Sequence, residues 1–166
     1  MEKHVHGGNI YAHEGCLDFS ANCNPLGTPR RVVQAASQSM EKIAQYPRVG
    51  CAPLCAAIAQ YEGTKENQVI CGNGAAELIF SLCHALSPKR ALLPAPTFAE
   101  YGQALASVGC RIEYVQLRAE EGFAITEEFI GSLHEGFDIV FLCNPNNPTG
   151  ALIGRDLLFR IMKLSL

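Results

Sequence analysis

The sequence predicts an α/β fold, a mostly parallel sheet flanked by helices, and three observations predict it. Apolar runs of strand type recur at residues 68–71, 91–93, 111–117 and 138–143. Segments with apolar residues at helical spacing lie between them. Turn formers then cut the runs off: Gly72-Asn73-Gly74 after the first, Pro94-Ala95-Pro96 after the second, Asn144-Pro145 after the last. Strands alternating with helices are the pattern of a parallel sheet covered on its faces.

The elements follow in order. Residues 1–28 are polar, Gly-rich and turn-like, interrupted by Cys16-Leu17-Asp18-Phe19-Ser20. Thr28-Pro29 supplies a helix start, a cap followed by Pro at the first helical position. Val32, Val33, Ala36, Met40 and Ile43 then keep helical spacing through to Ala44, and Tyr46-Pro47 closes the segment. Pro53 starts a second helix carrying Leu54, Ile58 and Tyr61. After the strand at 68–71, residues 75–86 read as an amphipathic helix with Leu78, Ile79, Leu82 and Leu86 inward. Thr97 caps a helix that runs to Val108, where Gly109 stops it; a further helix spans Thr126 to His134. Residues 155–166 look like a last helix, with nothing after it to complete the layer.

Composition narrows the class. The chain has 166 residues, 48% hydrophobic and 17% charged, enough for one globular domain and far from a disordered composition. A net charge of -3 and the lack of a basic run give no electrostatic case for nucleic acid. The segment Met1-Glu2-Lys3-His4-Val5-His6 has no apolar signal region, and no stretch approaches the roughly 20 apolar residues of a membrane span. The expected location is cytoplasmic. Eight cysteines show no C-x-x-C pair, so buried or incidental thiols are expected rather than a metal site. Cys71 and Cys143 fall in expected strands, Cys83 on an apolar helix face, and Cys51 and Cys55 on one face of a helix.

Three stretches offer ligand chemistry. Gly72-Asn73-Gly74-Ala75-Ala76-Glu77 joins a strand to a helix start, where unpaired N–H groups and the helix dipole favour an anion. No Lys follows, against a nucleotide P-loop, and Glu77 occupies the last small position of a dinucleotide fingerprint. A lone cofactor phosphate needs neither feature; a Gly-rich turn without ligand is the plain alternative. Phe98, after the next strand, would lie over the same sheet edge, either stacking on a planar ring or packing in the core. Asn144-Pro145-Asn146-Asn147-Pro148-Thr149-Gly150 presents amide side chains from a loop stiffened by prolines, and either Asn-Pro bond is a candidate for cis. Together, a phosphate cup, an aromatic plate and an amide-bearing loop suit a flat phosphorylated heteroaromatic such as pyridoxal 5′-phosphate.

On these residues the whole chain resembles the N-terminal half of the fold-type I pyridoxal-phosphate enzymes, the aspartate aminotransferase superfamily, whose signature loop is residues 144–150. His6-Gly7-Gly8-Asn9, residues 18–27 and residues 98–106 resemble the threonine-phosphate decarboxylases of cobalamin biosynthesis more than the related histidinol-phosphate aminotransferases. The resemblance implies an arm and the start of a small domain over 1–45, and part of a large cofactor-binding domain over 46–166. It implies that Gly74, Ala75 and Ala76 hold the cofactor phosphate, Phe98 stacks on its ring and Asn147 bonds its phenolic oxygen. Tyr46 matches a residue reaching the phosphate of a neighbouring subunit, which implies a homodimer. His6, Gly7, Asn22 and Asn147 match positions that contact a phosphorylated amino-acid substrate. The implied reaction loses CO₂ from that substrate, with the cofactor ring as electron sink.

Two departures qualify this. Arg48 and Cys55 stand where the family carries an acidic and a basic residue. The family's Schiff-base lysine lies beyond the signature loop, and Lys3, Lys42, Lys65, Lys89 and Lys163 match no such motif. No catalytic residue is therefore assigned in this chain, which by itself is expected to be inactive. The competing readings are a histidinol-phosphate aminotransferase, a non-catalytic remnant or binding domain, and third a nucleotide-binding dehydrogenase domain.

Overall fold

The computed structural model describes residues 7–13, 15–133 and 136–164. The chain divides into two compact units, Met1–Val49 and Gly50–Leu166. In the first, helix α1 spans Arg30–Ser39 and a single 3₁₀ turn, Met40–Lys42, follows it. The helix is shorter than its apolar spacing suggests. Pro29 is its cap rather than its first residue, and its carbonyl accepts from the Val32 and Val33 amides. Val32, Val33, Met40 and Ile43 are all exposed, so helical spacing here marks a face and not a core.

The second unit holds helix α2 (Ala52–Glu62), helix α3 (Ala75–Leu86), strand β1 (Arg90–Ala95) and helix α4 (Ala99–Ser107). Strand β2 (Arg111–Gln116), helix α5 (Glu127–Ser132), strand β3 (Ile139–Val140) and helix α6 (Arg155–Leu164) follow. The sheet order is β2-β1-β3 and both pairings are parallel, with Arg90 opposite Arg111 and Ala91 opposite Ile139. Parallel strands need a covered crossover, and α4 supplies the one from β1 to β2. Asp138 fastens the amino edge: its carboxylate accepts from the Lys89 and Arg90 backbone N–H groups at 2.7 and 3.0 Å.

Strand β1 is central and buried, which its unbroken apolar run requires. Ala91 and Leu93 face a core shared with Cys83, Ala104, Leu105 and Cys110, against which Ile79, Phe80, Tyr101 and Phe141 pack. Leu92 and Pro94 alternate to the other face. There Pro94 meets Leu117, Phe123, Ile125 and Ile153, the residues that lead into α5 and α6. Arg160 pairs with Glu127 through two bonds of 2.5 and 2.7 Å, joining those two helices.

Several expectations are corrected. The strand expected at 68–71 is extended at Val69 but has no ladder partner among the described residues, and a strand exists only by pairing. The run 138–143 is a strand only at Ile139–Val140, although the Phe141 amide still reaches the Leu92 carbonyl at 3.4 Å. On α3 the core takes Ile79, Phe80 and Cys83, while Leu82 and Leu86 are exposed. On α2 the small residues Cys55 and Ala59 turn inward, and Leu54 and Tyr61 do not. Thr126 caps α5 without a side-chain bond, and the helix stops at Ser132; His134 lies outside the described residues. Among the described residues no helix is long and apolar enough to cross a membrane.

Candidate active site

Strand β3 pairs with the first half of β1, Leu92 opposite Val140, and β2 lies on the other flank of β1. In open α/β sheets ligands sit at loops past the carboxyl ends of strands, and the connections after β1 and β3 are such loops. Asn146, 7% exposed, sits where the two loops meet. Its Nδ2 donates to the Pro96 carbonyl at 3.0 Å and to Thr149 Oγ1 at 2.8 Å. Its Oδ1 accepts from Thr97 Oγ1 at 2.9 Å. Its backbone closes the turn as well, with Gly150 N donating to Asn146 O at 2.7 Å and Asn146 N to Ala151 O at 2.8 Å. Asn144 clamps the far side of the loop: its Oδ1 accepts from Ile153 N at 2.9 Å and its Nδ2 donates to Ile153 O at 3.3 Å. Both Asn-Pro bonds are cis, as is Ala95–Pro96.

Asn147 is different. It is half-buried, and its side-chain amide has no hydrogen-bond partner among the described residues. Two asparagines thus hold the loop while the third keeps a donor and an acceptor open. The family resemblance singled out Asn147; nothing in the sequence marked Asn146 and Thr97 as partners. Thr97 was expected to cap α4, yet the cap is Phe98 and makes no side-chain cap bond; the threonine hydroxyl serves the loop instead.

Phe98 is half-buried at the start of α4. Its ring meets Tyr101 edge-on at 5.6 Å, and Tyr101 stacks on Phe141 at 4.7 Å and 8°. Burial, helped by contact with Cys143, pushes the Tyr101 phenol up to about 12. The Cys143 thiol donates to the Pro145 carbonyl at 3.3 Å. Phe98 is therefore the end of a row of rings anchored in the core.

The Gly-rich turn keeps its expected form. Gly74 caps α3 with φ +88°, a conformation that favours glycine. A Cβ on Gly72 would lie 2.9 Å from Leu78 Cδ2. Glu77, which breaks the dinucleotide pattern, turns back to accept from the Asn73 amide. The Ala75 and Ala76 N–H groups, in the first turn, have no acceptor within the helix. Ser107 Oγ on α4 lies 3.4 Å from His84 Nε2 on α3, near the carboxyl ends of both helices. The two helices pack against each other in the same direction, so Ala75, Ala76 and Phe98 start from one end of the layer.

Gly7, Asn22 and Tyr46 belong to the first unit. Gly8 N donates to Ser20 Oγ at 2.8 Å, and Ser20 donates from its hydroxyl and its amide to Asp18 Oδ1 at 2.5 and 2.8 Å. Those two bonds hold the Asp18 carboxyl below its usual range. The two polar loops of the arm are thereby brought together around an open hollow of about 560 Å³ lined by Gly7, Asn9, His13, Asp18 and Ser20. Gly7 accepts no side chain, since a Cβ would lie 1.9 Å from the Ser20 carbonyl oxygen. Asn22 and Tyr46 are exposed. His6 lies outside the described residues.

One cysteine contact was not foreseen in the sequence. Cys55 faces Cys71, with the sulfurs 3.6 Å apart. Among the described residues no cluster of three His, Cys, Asp or Glu could hold a metal ion.

Comparison with known proteins places this geometry. The chain is 40% identical to the threonine-phosphate decarboxylase of Salmonella typhimurium over 162 residues, covering 93% of this chain and 44% of that protein. The crystal structure of the histidinol-phosphate aminotransferase from Clostridium acetobutylicum superposes with a TM-score of 0.77 at 31% identity, over 90% of this chain and 44% of that one. An aspartate aminotransferase from Thermus thermophilus gives a TM-score of 0.77 at 21% identity, over 87% of this chain and 43% of that one, and so shares the fold. The chain spans less than half the length of each of these relatives. Residues 14–165 match the aminotransferase class I and II family, and the chain belongs to it.

Proposed function

We propose that this chain is the N-terminal portion of a pyridoxal-phosphate-dependent threonine-phosphate decarboxylase, which converts L-threonine O-3-phosphate to (R)-1-aminopropan-2-yl phosphate in cobalamin biosynthesis. The observation that carries the reading is the division of labour in the signature loop. Asn144 and Asn146 are fully engaged in holding it, and Asn147 presents an open amide at the carboxyl edge of β1 and β3.

The residues present fit the cofactor. Ala75 and Ala76 offer first-turn N–H groups with no acceptor within the helix, and Gly74 adds no side chain over them. These three would hold the phosphate. Phe98, fixed by its edge contact with Tyr101, would cover the ring, and Asn147 Nδ2 would donate to the phenolic oxygen. Bound there, pyridoxal phosphate supplies an electron sink for the bond that breaks beside the substrate amine. In this reading residues 1–45 are an arm and the start of a small domain, and 46–166 are part of the large domain. His6, Gly7 and Asn22 contact the phosphorylated substrate, with Asn147. The bonds that gather Gly8, Ser20 and Asp18 support a shaped arm there. Tyr46, 92% exposed, is open to serve a partner subunit's cofactor in a homodimer.

The test uses the protein as its natural host makes it, loaded with pyridoxal phosphate. Release of CO₂ from L-threonine O-3-phosphate is the expected result. Amino transfer from histidinol phosphate to a 2-oxo acid without CO₂ release would favour the second reading, a histidinol-phosphate aminotransferase, which the superposition on the Clostridium enzyme supports. Reaction with neither substrate would overturn both.

A further inference from the structure

We propose that Cys55 and Cys71 form a peroxide-sensitive dithiol, a site of reversible disulfide modification that ties α2 to the segment leading into the Gly72–Ala76 turn. The two sulfurs lie 3.6 Å apart across 16 residues of chain, and among the described residues no other two cysteines share a hydrogen bond. Cys55 is 8% exposed on the inner face of α2, and its thiol also lies 3.6 Å from the Gly50 carbonyl. Cys71 is half-buried, so a solute the size of a peroxide can reach the pair from its side. The hydrogen bond to Cys55 first and burial second push the Cys71 thiol up, so the thiolate that reacts with peroxide forms more readily as the pH rises.

A disulfide needs the sulfurs at about 2.05 Å, so the pair must close by roughly 1.5 Å. The structure allows that movement. Residues 70 and 71 belong to no strand and are paired in no ladder among the described residues, while α2 is a regular helix. Cys83 and Cys110 lack this freedom, because both sit in the close-packed core against β1.

The chemistry balances with a peroxide as oxidant. One thiolate attacks a peroxide oxygen; the O–O bond breaks, leaving a sulfenic acid and hydroxide. The second thiol attacks that sulfur, the S–S bond forms and the S–O bond breaks; its proton leaves with that oxygen as water, and the proton given up by the first thiol neutralises the hydroxide. The two sulfurs together give up two electrons, which the peroxide takes. A dithiol reductant reverses the change.

The experiment treats the full chain with hydrogen peroxide, then alkylates the remaining thiols and maps them by mass. The expected result is a loss of about 2 Da before alkylation, reversed by dithiothreitol. Peptide 49–65, carrying Cys51 and Cys55, should be joined to peptide 66–89, carrying Cys71 and Cys83. Because trypsin leaves two cysteines on each, variants decide the pairing. Cys51→Ser should keep the joined peptides and Cys71→Ser should lose them. Joined peptides that persist in Cys71→Ser or vanish in Cys51→Ser would overturn the assignment. So would full alkylation of Cys55 and Cys71 in the peroxide-treated wild type.

Discussion

Asn146 and Thr97 stand 49 residues apart in the chain and share a hydrogen bond of 2.9 Å, Thr97 Oγ1 donating to Asn146 Oδ1. With the bond from Asn146 Nδ2 to the Pro96 carbonyl, this fixes the loop after β3 against the loop after β1. Phe98 and Asn147 are the next residues along each loop, so one buried side chain sets the positions of both.

Replacing Asn146 by Ala leaves the Thr97 hydroxyl and the Pro96 carbonyl without their partner, while Thr149 Oγ1 keeps the Ala151 amide. Stranding buried polar groups costs about 1–3 kcal/mol. For a chain of this size each kcal/mol lowers Tm by about 2–4 °C. Asn147→Ala removes no described bond and should stay within about 0.5 kcal/mol of wild type. Thermal unfolding of the two variants side by side checks the contrast. Equal losses would mean that Asn146 does not hold the loop in the way its bonds indicate.

Asp138 gives the amino edge of the sheet an acid-sensitive staple. The Arg90 and then the Lys89 backbone N–H groups hold its carboxyl below the usual carboxylate range. A depressed folded-state pKa means the stabilisation is complete above the unfolded value of about 3.9 and is lost as pH falls through the folded value. Asp138→Asn keeps an acceptor but cannot titrate. Its stability should therefore fall less steeply than wild type on acidification below about pH 4. Denaturant unfolding at neutral pH and at a series of acid pH values reads the difference between the two slopes. Parallel slopes would remove Asp138 from the account, leaving Glu127 and Asp18, which their bonds also hold low.

How much of this was legible in the sequence depends on whether the deciding contact is local. Helix α3 runs over the residues its spacing marks, because the Gly-rich turn before it and Ser87 in a left-handed conformation after it are local stops. Which face of α3 turns inward was not legible, since Leu78, Leu82 and Leu86 form an apolar stripe adjacent to the one that β1 and α4 cover. The segment 68–71 has strand composition, but composition supplies no neighbour. In the signature loop the resemblance singles out Asn147, but nothing in the sequence itself separates the three asparagines. Only the register of two loops far apart in the chain decides that Asn146 turns in and Asn147 stays open. The pairing of Cys55 with Cys71 was hidden for the same reason.

Tyr101 carries the third prediction. Its ring lies between Phe98 and Phe141, and burial pushes its phenol up to about 12. The stabilisation from keeping that phenol neutral is complete below the unfolded value of about 10 and declines as pH rises from there toward the folded value. Tyr101 ring resonances should keep their neutral positions past pH ~10, where an unperturbed phenol is half ionised. Tyr101→Phe retains the stack and should flatten the alkaline loss of stability. Ionisation of Tyr101 near the ordinary value would mean that the row of rings is open to water, and Phe98 would lose its anchor.

Gly7 tests the arm on its own. A Cβ there would lie 1.9 Å from the Ser20 carbonyl oxygen, a backbone atom that no rotamer change can move. Gly7→Ala must therefore part the two polar loops and break the bond from Gly8 N to Ser20 Oγ. Ser20→Ala removes the same acceptor without the clash and should loosen the loops less. Both changes lie in the first unit, outside the buried core around β1, so global stability should shift by less than about 1 kcal/mol. Limited proteolysis within residues 7–20 reads the local effect. Cleavage there should be fastest in Gly7→Ala, intermediate in Ser20→Ala and slowest in wild type. Equal rates in all three would show that the Gly8–Ser20 contact does not order the arm, and the support it lends to a shaped substrate contact at Gly7 would go with it.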